Sequence, residues 1–365
     1  MELLEFADLP VIDCHVHFSQ EDLNMFENAM KNEFTNISED NLYKLETFWL
    51  DVIKEGKINQ IYLTGLNTVV YLKTKYPRLF YAGGFIPWSG MTNKMPNVNW
   101  REYIGSLIDV GIDGIGEFGS KPVFRNTHKP LDGDYYAGLW ESCETLEFPI
   151  LCHVADPEEF WNEKLAPDWA KKFNWVYDIK NYQSKDELYK EIENVLDRHN
   201  DLKIVFCHFY FLSADLERAS EFLNSYKCAN FDLAPGIELL YNISRRRDDW
   251  REFFIKYQDR IFYGTDIIGN MMTLQHALDV IWLVRNFLES NEEFFTPDTV
   301  NLLLTKFKEP FLGLNLPTGV LKKIYAENFQ RLWGKTPNSI NLNAAIKRCE
   351  EDEEKTLVNV LRNFL

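Results

Sequence analysis

The chain reads as an α/β protein, a (β/α)8 TIM barrel with a C-terminal helical extension, and three observations predict it. Strand-like runs alternate with helical runs along the chain, and the strand count reaches eight, whereas an open doubly wound sheet needs no eighth strand to close. Polar, chemistry-bearing residues gather at the C-terminal ends of those strand runs, where a parallel barrel opens to its substrate. The length of 365 residues and 45% hydrophobic content supply one large core. One barrel is expected over residues 1–335, with 336–365 as a helical extension packed upon it.

The first strand, Val11 to Phe18, reads VIDCHVHF and alternates with the period of a β-strand. Ile12, Cys14, Val16 and Phe18 form its apolar face; Val11, Asp13, His15 and His17 form the other. Helical spacing of Leu42, Leu45, Phe48, Trp49, Val52 and Ile53 marks a helix within Glu21 to Lys57. Strands follow at Ile58 to Leu66 and Leu79 to Pro87, with helix at Asn67 to Tyr76 between them and Trp88 at the mouth. Helix from Asn99 to Val110 leads into a fourth strand, Gly111 to Gly119, whose sequence GIDGIGEFG sets Asp113, Ile115 and Glu117 on one face. Helix at Tyr136 to Leu146 precedes a fifth strand, Phe148 to Ala155, ending in CHVAD with His153.

Residues 156–184 carry Phe160, Trp161, Trp169, Phe173, Trp175 and Tyr177. A connection that long reads as a lid or wall over the mouth. Helix at Lys185 to His199 leads to a sixth strand, Leu202 to Tyr210, containing His208. The seventh is Cys228 to Pro235, and the eighth, Arg260 to Ile268, carries YGTD with Asp266 near its end. Leu274 to Leu288 is amphipathic, Thr296 and Pro297 read as a helix cap and first position, and a final barrel helix spans Pro317 to Trp333. In the tail, Leu357, Val360, Leu361 and Phe364 recur at helical spacing, as a helix packed on the barrel exterior requires.

Lys plus Arg number 39 against 56 Asp plus Glu, a net charge of −17 that repels phosphate backbones and anionic membranes. Nucleic-acid and membrane partners are therefore not expected, and a small-molecule substrate is; association into a homo-oligomer stays open. The N-terminus lacks a basic region followed by an apolar one, and no run approaches the ~20 apolar residues of a membrane span, so a cytoplasmic protein is expected. Six cysteines without regular spacing do not form a secreted disulfide framework. Cys14, Cys152 and Cys207 each precede a histidine, and alternation points all three to the helix-facing side.

His15, His17, Glu117, His153, His208 and Asp266 come from the ends of strands one, four, five, six and eight, which a closed barrel brings around one mouth. His-x-His on a strand aims two imidazoles the same way, suited to one divalent cation. The motifs DCHVH, GIGEFG, CHVAD, FCHFY, YGTDI and IYAENFQRLWG, in this order and spacing, resemble the amidohydrolase superfamily of metal-dependent hydrolases. The similarity is greatest to the amidohydrolase-related branch that includes aminocarboxymuconate-semialdehyde decarboxylase and several lactonases. That resemblance implies one metal on His15, His17, His153 and Asp266, with His208 polarising substrate or water. Glu117 departs from it: GIGEFG is similar to the fourth-strand motif of TatD-type hydrolases, where a glutamate bridges two metals. A binuclear arrangement then places His15, His17 and Asp266 on one ion, His153 and His208 on the other, and Glu117 between them.

The expected activity is metal-activated attack of water on a small-molecule amide, lactone or ester, with Asp266 moving the proton and His208 as its catalytic partner. Zn²⁺, as one or two ions, suits N/O ligation, with Mn²⁺, Fe²⁺ or Co²⁺ as alternatives. Three other activities stay open: non-hydrolytic decarboxylation on the same scaffold, a TatD-like phosphodiesterase or nuclease, and a metal-binding protein without turnover. Asp13 and Asp232 are expected in buried hydrogen bonds. Lys121, Arg125, Arg245, Arg246 and Arg247 are candidates to clamp a carboxylate or phosphate, whereas His128, His199 and His276 fall outside strand ends and are read as non-ligands.

Overall fold

The computed structural model describes residues 6–19, 37–65, 67–84, 97–122, 129–172, 174–236, 238–300 and 309–365. Among them, nine parallel strands form one sheet: β1 (Ile12–His17), β2 (Gln60–Thr64), β3 (Phe80–Gly84), β4 (Gly114–Ser120), β5 (Ile150–Val154), β6 (Ile204–Phe206), β7 (Ala229–Asp232), β8 (Ile261–Phe262) and β9 (Ile267–Ile268). Each pairs with its predecessor in sequence except at one point. β8 pairs with β7, and β9 with β1, so the two share one barrel position that the sequence renders as a single strand, Arg260 to Ile268. The gap between them is stitched by Cys14 N–H to Tyr263 O at 3.0 Å and Asp266 N–H to His15 O at 2.8 Å. The sheet thus returns on itself, and the fold is an α/β TIM barrel.

Polar caps start the surrounding helices. Ser38 accepts the Asn41 amide at the head of Glu39–Glu55, Asn99 that of Glu102 ahead of Trp100–Val110, and Ser184 with Glu187 forms a reciprocal capping box before Lys185–Arg198. Val16, Phe18, Leu63, Ile115, Phe118, Ile150, Cys152 and Ile204 pack outward against these helices. A separate cluster fills the barrel interior below the mouth: Ile12, Tyr62, Tyr81, Leu151, Val205 and Phe262 from the strands, closed by Phe329 and Trp333, whose rings stack at 4.7 Å.

Strict alternation fails at two bulges. In β1, Asp13 pairs with Ile61 and Val16 with Leu63, so Cys14 and His15 together oppose one residue of β2. Ile12 and Cys14 consequently lie in the interior cluster while Val16 and Phe18 pack outward, and the expected single apolar face is divided between the two sides. A matching slip in β4, between Ile115 and Phe118, turns Ile115 outward, away from the face expected for Glu117. Asp113 instead forms a fully buried ion pair with Lys73.

The sixth strand is also shorter than expected. It ends at Phe206, and His208, Phe209, Tyr210 and Phe211 all take left-handed backbone angles, φ +54°, +57°, +55° and +51°. Such angles cost roughly 1–2 kcal/mol per residue. Aromatic packing offsets that cost, with Phe209 stacked on Phe254 at 5.7 Å and Tyr210 4.4 Å from Phe206. With strand geometry ended, Cys207 joins the interior cluster, so of Cys14, Cys152 and Cys207 only Cys152 faces the helices.

After Thr296 and Pro297 the structure shows a short 3-10 turn, Asp298–Val300, and residues 301–308, like Trp88, Arg125, His128 and Phe173, lie outside the described residues. Helical backbone runs through 318–333 with one wide π turn. Beyond it, helices Leu342–Glu351 and Lys355–Arg362 pack on the helices at 39–55, 69–75 and 100–110. They bury Ile346, Cys349, Leu357, Val358, Val360 and Leu361, whereas Phe364 stays 37% exposed. Among the described residues no helix is long and apolar enough to cross a membrane.

Candidate metal centre

β1 delivers two imidazoles to the barrel mouth because its bulge turns His15 inward directly after inward Cys14, and His17 follows two residues on. Their rings lie 5.4 Å apart. Each is fixed through Nδ1. The His15 Nδ1–H donates to Asp232 Oδ2 at 2.8 Å, with both side chains fully buried. Thr64 gives its hydroxyl proton to Val16 O at 2.8 Å and so accepts His17 Nδ1–H at 3.0 Å. His208 is held alike: its Nδ1–H donates to Ala234 O at 3.1 Å and its amide to Asp232 Oδ1 at 2.8 Å. With Nδ1 so committed in all three rings, Nε2 is the nitrogen turned to the mouth, the orientation that outer hydrogen bonds impose on metal-binding histidines.

The carboxylates meet those nitrogens. Asp266 Oδ1 lies 3.1 Å from His17 Nε2 and 3.7 Å from His15 Nε2. Glu117 Oε2 lies 3.4 Å from His17 Nε2 and 3.9 Å from His15 Nε2, while its other oxygen contacts His153 Nδ1 in a short hydrogen bond. His153 Nε2–H donates to Ala155 O at 3.0 Å. The His153 and His15 rings stand 4.8 Å and 5.0 Å from that of His208. Two groups of donor atoms converge closely enough to share an ion, His15 with His17 and Asp266, and His15 with Glu117 and His208. His153 reaches the cluster through Glu117.

Charge is unevenly balanced in this space. Burial opposes the charged form of Glu117, but His153, His15 and His17 hold its carboxyl well below the usual range. Asp266 is also held low, against burial, by His17 and His15. Burial likewise disfavours a charged His15, yet Asp232 outweighs it and raises the imidazole to about 10. His208, pressed by burial and by the neighbouring charge of His153, falls to about 4.

The donor set fits a divalent cation. His15 Nε2 is a buried polar atom without a hydrogen-bond partner, and it faces carboxylate oxygens of both Glu117 and Asp266. A buried nitrogen so placed is unfavourable unless a proton or a metal ion occupies it. A cation in place of that proton satisfies the imidazole and both carboxylates together. A third convergence, His15 with Cys207 and Asp232, lies beneath the mouth, and burial raises the Cys207 thiol far above its usual value, against thiolate ligation.

No protein-family model and no curated protein matches the chain. Solved structures do. A putative amidohydrolase from Staphylococcus aureus is 16% identical with a TM-score of 0.54, over 89% of this chain and all 100% of the other. An uncharacterised TIM-barrel protein from Bordetella bronchiseptica is 15% identical at 0.53, covering 92% and 99%. A 2,6-dihydroxybenzoate decarboxylase from Rhizobium is 14% identical at 0.50, covering 89% and 98%. At such identities the likeness establishes the barrel fold.

Other candidates lie elsewhere. Arg246 pairs with Glu217 and Asp249 at the surface, Arg247 bonds Gly313 O and Asn291, and Arg245 lies over the Tyr241 ring. His199 pairs with Glu144, and His276 sits on the helix Leu274–Glu289. Lys121 does reach the mouth, 3.8 Å from Asp156 and 4.1 Å over the Trp175 ring. Asp13 accepts the Thr265 hydroxyl at 2.6 Å and the His15 amide at 3.2 Å, pinning the bulge to the turn before Asp266. Sequence reading passed over Thr64 and Asp156; only CHVAD, which sets an acid three residues after His153, carried a signal for the latter.

Proposed function

We propose that the protein is a metal-dependent enzyme of the amidohydrolase type that hydrolyses a small-molecule amide, lactone or ester. The observation that carries this reading is the buried, hydrogen-bond-free His15 Nε2 between Asp266 and Glu117, with its Nδ1 committed to Asp232. His15, His17 and Asp266 hold one divalent ion, and Glu117, His153 and His208 complete the site, either as further ligands to a second ion or as partners of water and substrate. Zn²⁺ fits nitrogen and oxygen donors of this kind. Such an ion acidifies water toward neutrality and polarises a carbonyl.

The chain's own residues divide the remaining work. Asp266 has a side chain 30% exposed, against 7% for Glu117, so it is the carboxylate that meets solvent. Held ionised by His17 and His15, Asp266 takes the proton from attacking water and returns it to the leaving group. His208, largely neutral at pH 7 with its Nδ1–H held by Ala234, keeps the Nε2 lone pair free to hold an ion or to accept a hydrogen bond from water. Zn²⁺- and Mn²⁺-reconstituted protein assayed against esters, lactones, amides and phosphoesters tests the proposal. Turnover with ¹⁸O from water in the product supports it; CO₂ release without ¹⁸O uptake replaces hydrolysis by decarboxylation, and metal binding without turnover removes the enzymatic reading.

A further inference from the structure

Beside the six mouth residues lies a buried carboxylate, Asp156, whose partners come from three separate parts of the chain. Asp156 is 2% exposed. Its Oδ2 accepts the Tyr177 hydroxyl at 2.6 Å, and its Oδ1 lies 3.6 Å from His153 Nε2 and 3.8 Å from Lys121 Nζ. Ala155, at φ +66°, bends the chain so that its carbonyl and the following carboxylate both face back to the imidazole two and three residues earlier. A non-glycine residue in that conformation costs of the order of 1 kcal/mol, which the paired contacts to His153 and Tyr177 offset.

Tyr177 belongs to the aromatic segment, not to the barrel. It is 1% exposed, its amide donates to Phe160 O at 2.7 Å, and its ring lies 4.9 Å from Trp161 and 5.1 Å from Tyr182. Trp161 Nε1–H in turn donates to Gln183 O at 3.1 Å, beside the capping box of Lys185–Arg198. Trp175, from the same segment, lies under Lys121. One carboxylate therefore joins the segment 157–182 to the back of the His153 ring, whose front nitrogen, Nδ1, meets Glu117.

We infer that Asp156 is a positioning residue: its carboxylate beside the Ala155-bound His153 Nε2, anchored by Tyr177, helps hold the His153 ring at the metal centre and couples ion binding to the packing of the aromatic segment. The inference rests on the metal reading above. Groups behind the histidines of a metal site orient the rings and raise their basicity, and loss of such a support typically weakens metal binding ~10–100-fold. A tyrosine that anchors the carboxylate from another segment makes that segment part of the same support.

The test is a Zn²⁺ titration of metal-free full-length wild type, Asp156→Asn and Tyr177→Phe, read by competition with a chromogenic chelator and by acrylamide quenching of tryptophan emission. Trp161, Trp169 and Trp175 make the segment a reporter of its own packing. Affinity ~10–100-fold weaker in Asp156→Asn, with Zn²⁺-dependent protection from quenching in the wild type that Tyr177→Phe lacks, is the expected result. Tyr177→Phe keeps the buried ring, so thermal unfolding of each variant separates lost fold from lost coupling. Wild-type Zn²⁺ affinity and protection in both folded variants overturn the inference and leave the metal reading standing. A wild type that binds no divalent ion overturns both.

Discussion

Asp232 grips two histidines of the candidate centre at once: Oδ2 takes the His15 Nδ1–H at 2.8 Å and Oδ1 takes the His208 amide at 2.8 Å. A strand-seven residue thereby sets the tautomer of a strand-one imidazole and the position of the turn that carries His208. Asp232→Asn is expected to fold with ~10–100-fold weaker metal affinity, because an amide is a poorer acceptor for the His15 proton. Isothermal titration with Zn²⁺ measures it, and unchanged affinity contradicts this role.

Glu117 stands between the two halves of the centre, one oxygen toward His15 and His17 and the other on His153. If it bridges two ions, metal-saturated wild type holds about two per chain and Glu117→Ala fewer, since His153 and His208 alone leave a divalent cation short of protein ligands. Elemental analysis of both proteins decides this. A single tightly held ion in each rules bridging out.

Asp266 carries the proton in the proposed reaction. Asp266→Asn retains a coordinating oxygen but not the base, so kcat is expected to fall ~10²–10⁴-fold while His15 and His17 still bind metal. Retention of more than a tenth of wild-type turnover assigns the proton transfer to another group.

Far from the mouth, burial pushes the Glu354 carboxyl from its ordinary 4.5 up to about 7. The folded state then binds this proton more tightly than the unfolded chain does. The stabilising contribution is full below pH 4.5 and is lost as pH rises through 7, at no more than about 1.4 kcal/mol per pH unit. Glu354→Gln removes that loss, so the variant gains on the wild type between pH 5 and 8 in urea unfolding. Parallel stability profiles for the two proteins would show that the carboxyl ionises freely when folded.

The sequence by itself determined the barrel class and the order of its elements, because hydrophobic period, strand count and helix caps are local properties that survive without coordinates. It also singled out His15, His17, Glu117, His153, His208 and Asp266, since strands that share one direction place their last polar residues at one end. Tertiary structure decided the rest. Alternation cannot show a bulge, and the extra residue at Cys14 and His15 moved Cys14 inside while turning His15 toward Asp266. Nor does β-propensity foresee that FCHFYF leaves the strand after Phe206, because the cost of left-handed backbone is met only by Phe254, Phe222 and other rings distant in sequence. The supports of the centre, Asp232, Thr64 and Asp156, are legible only in three dimensions: a hydrogen bond to the far side of an imidazole depends on which strands become neighbours, and closure of the barrel settles that.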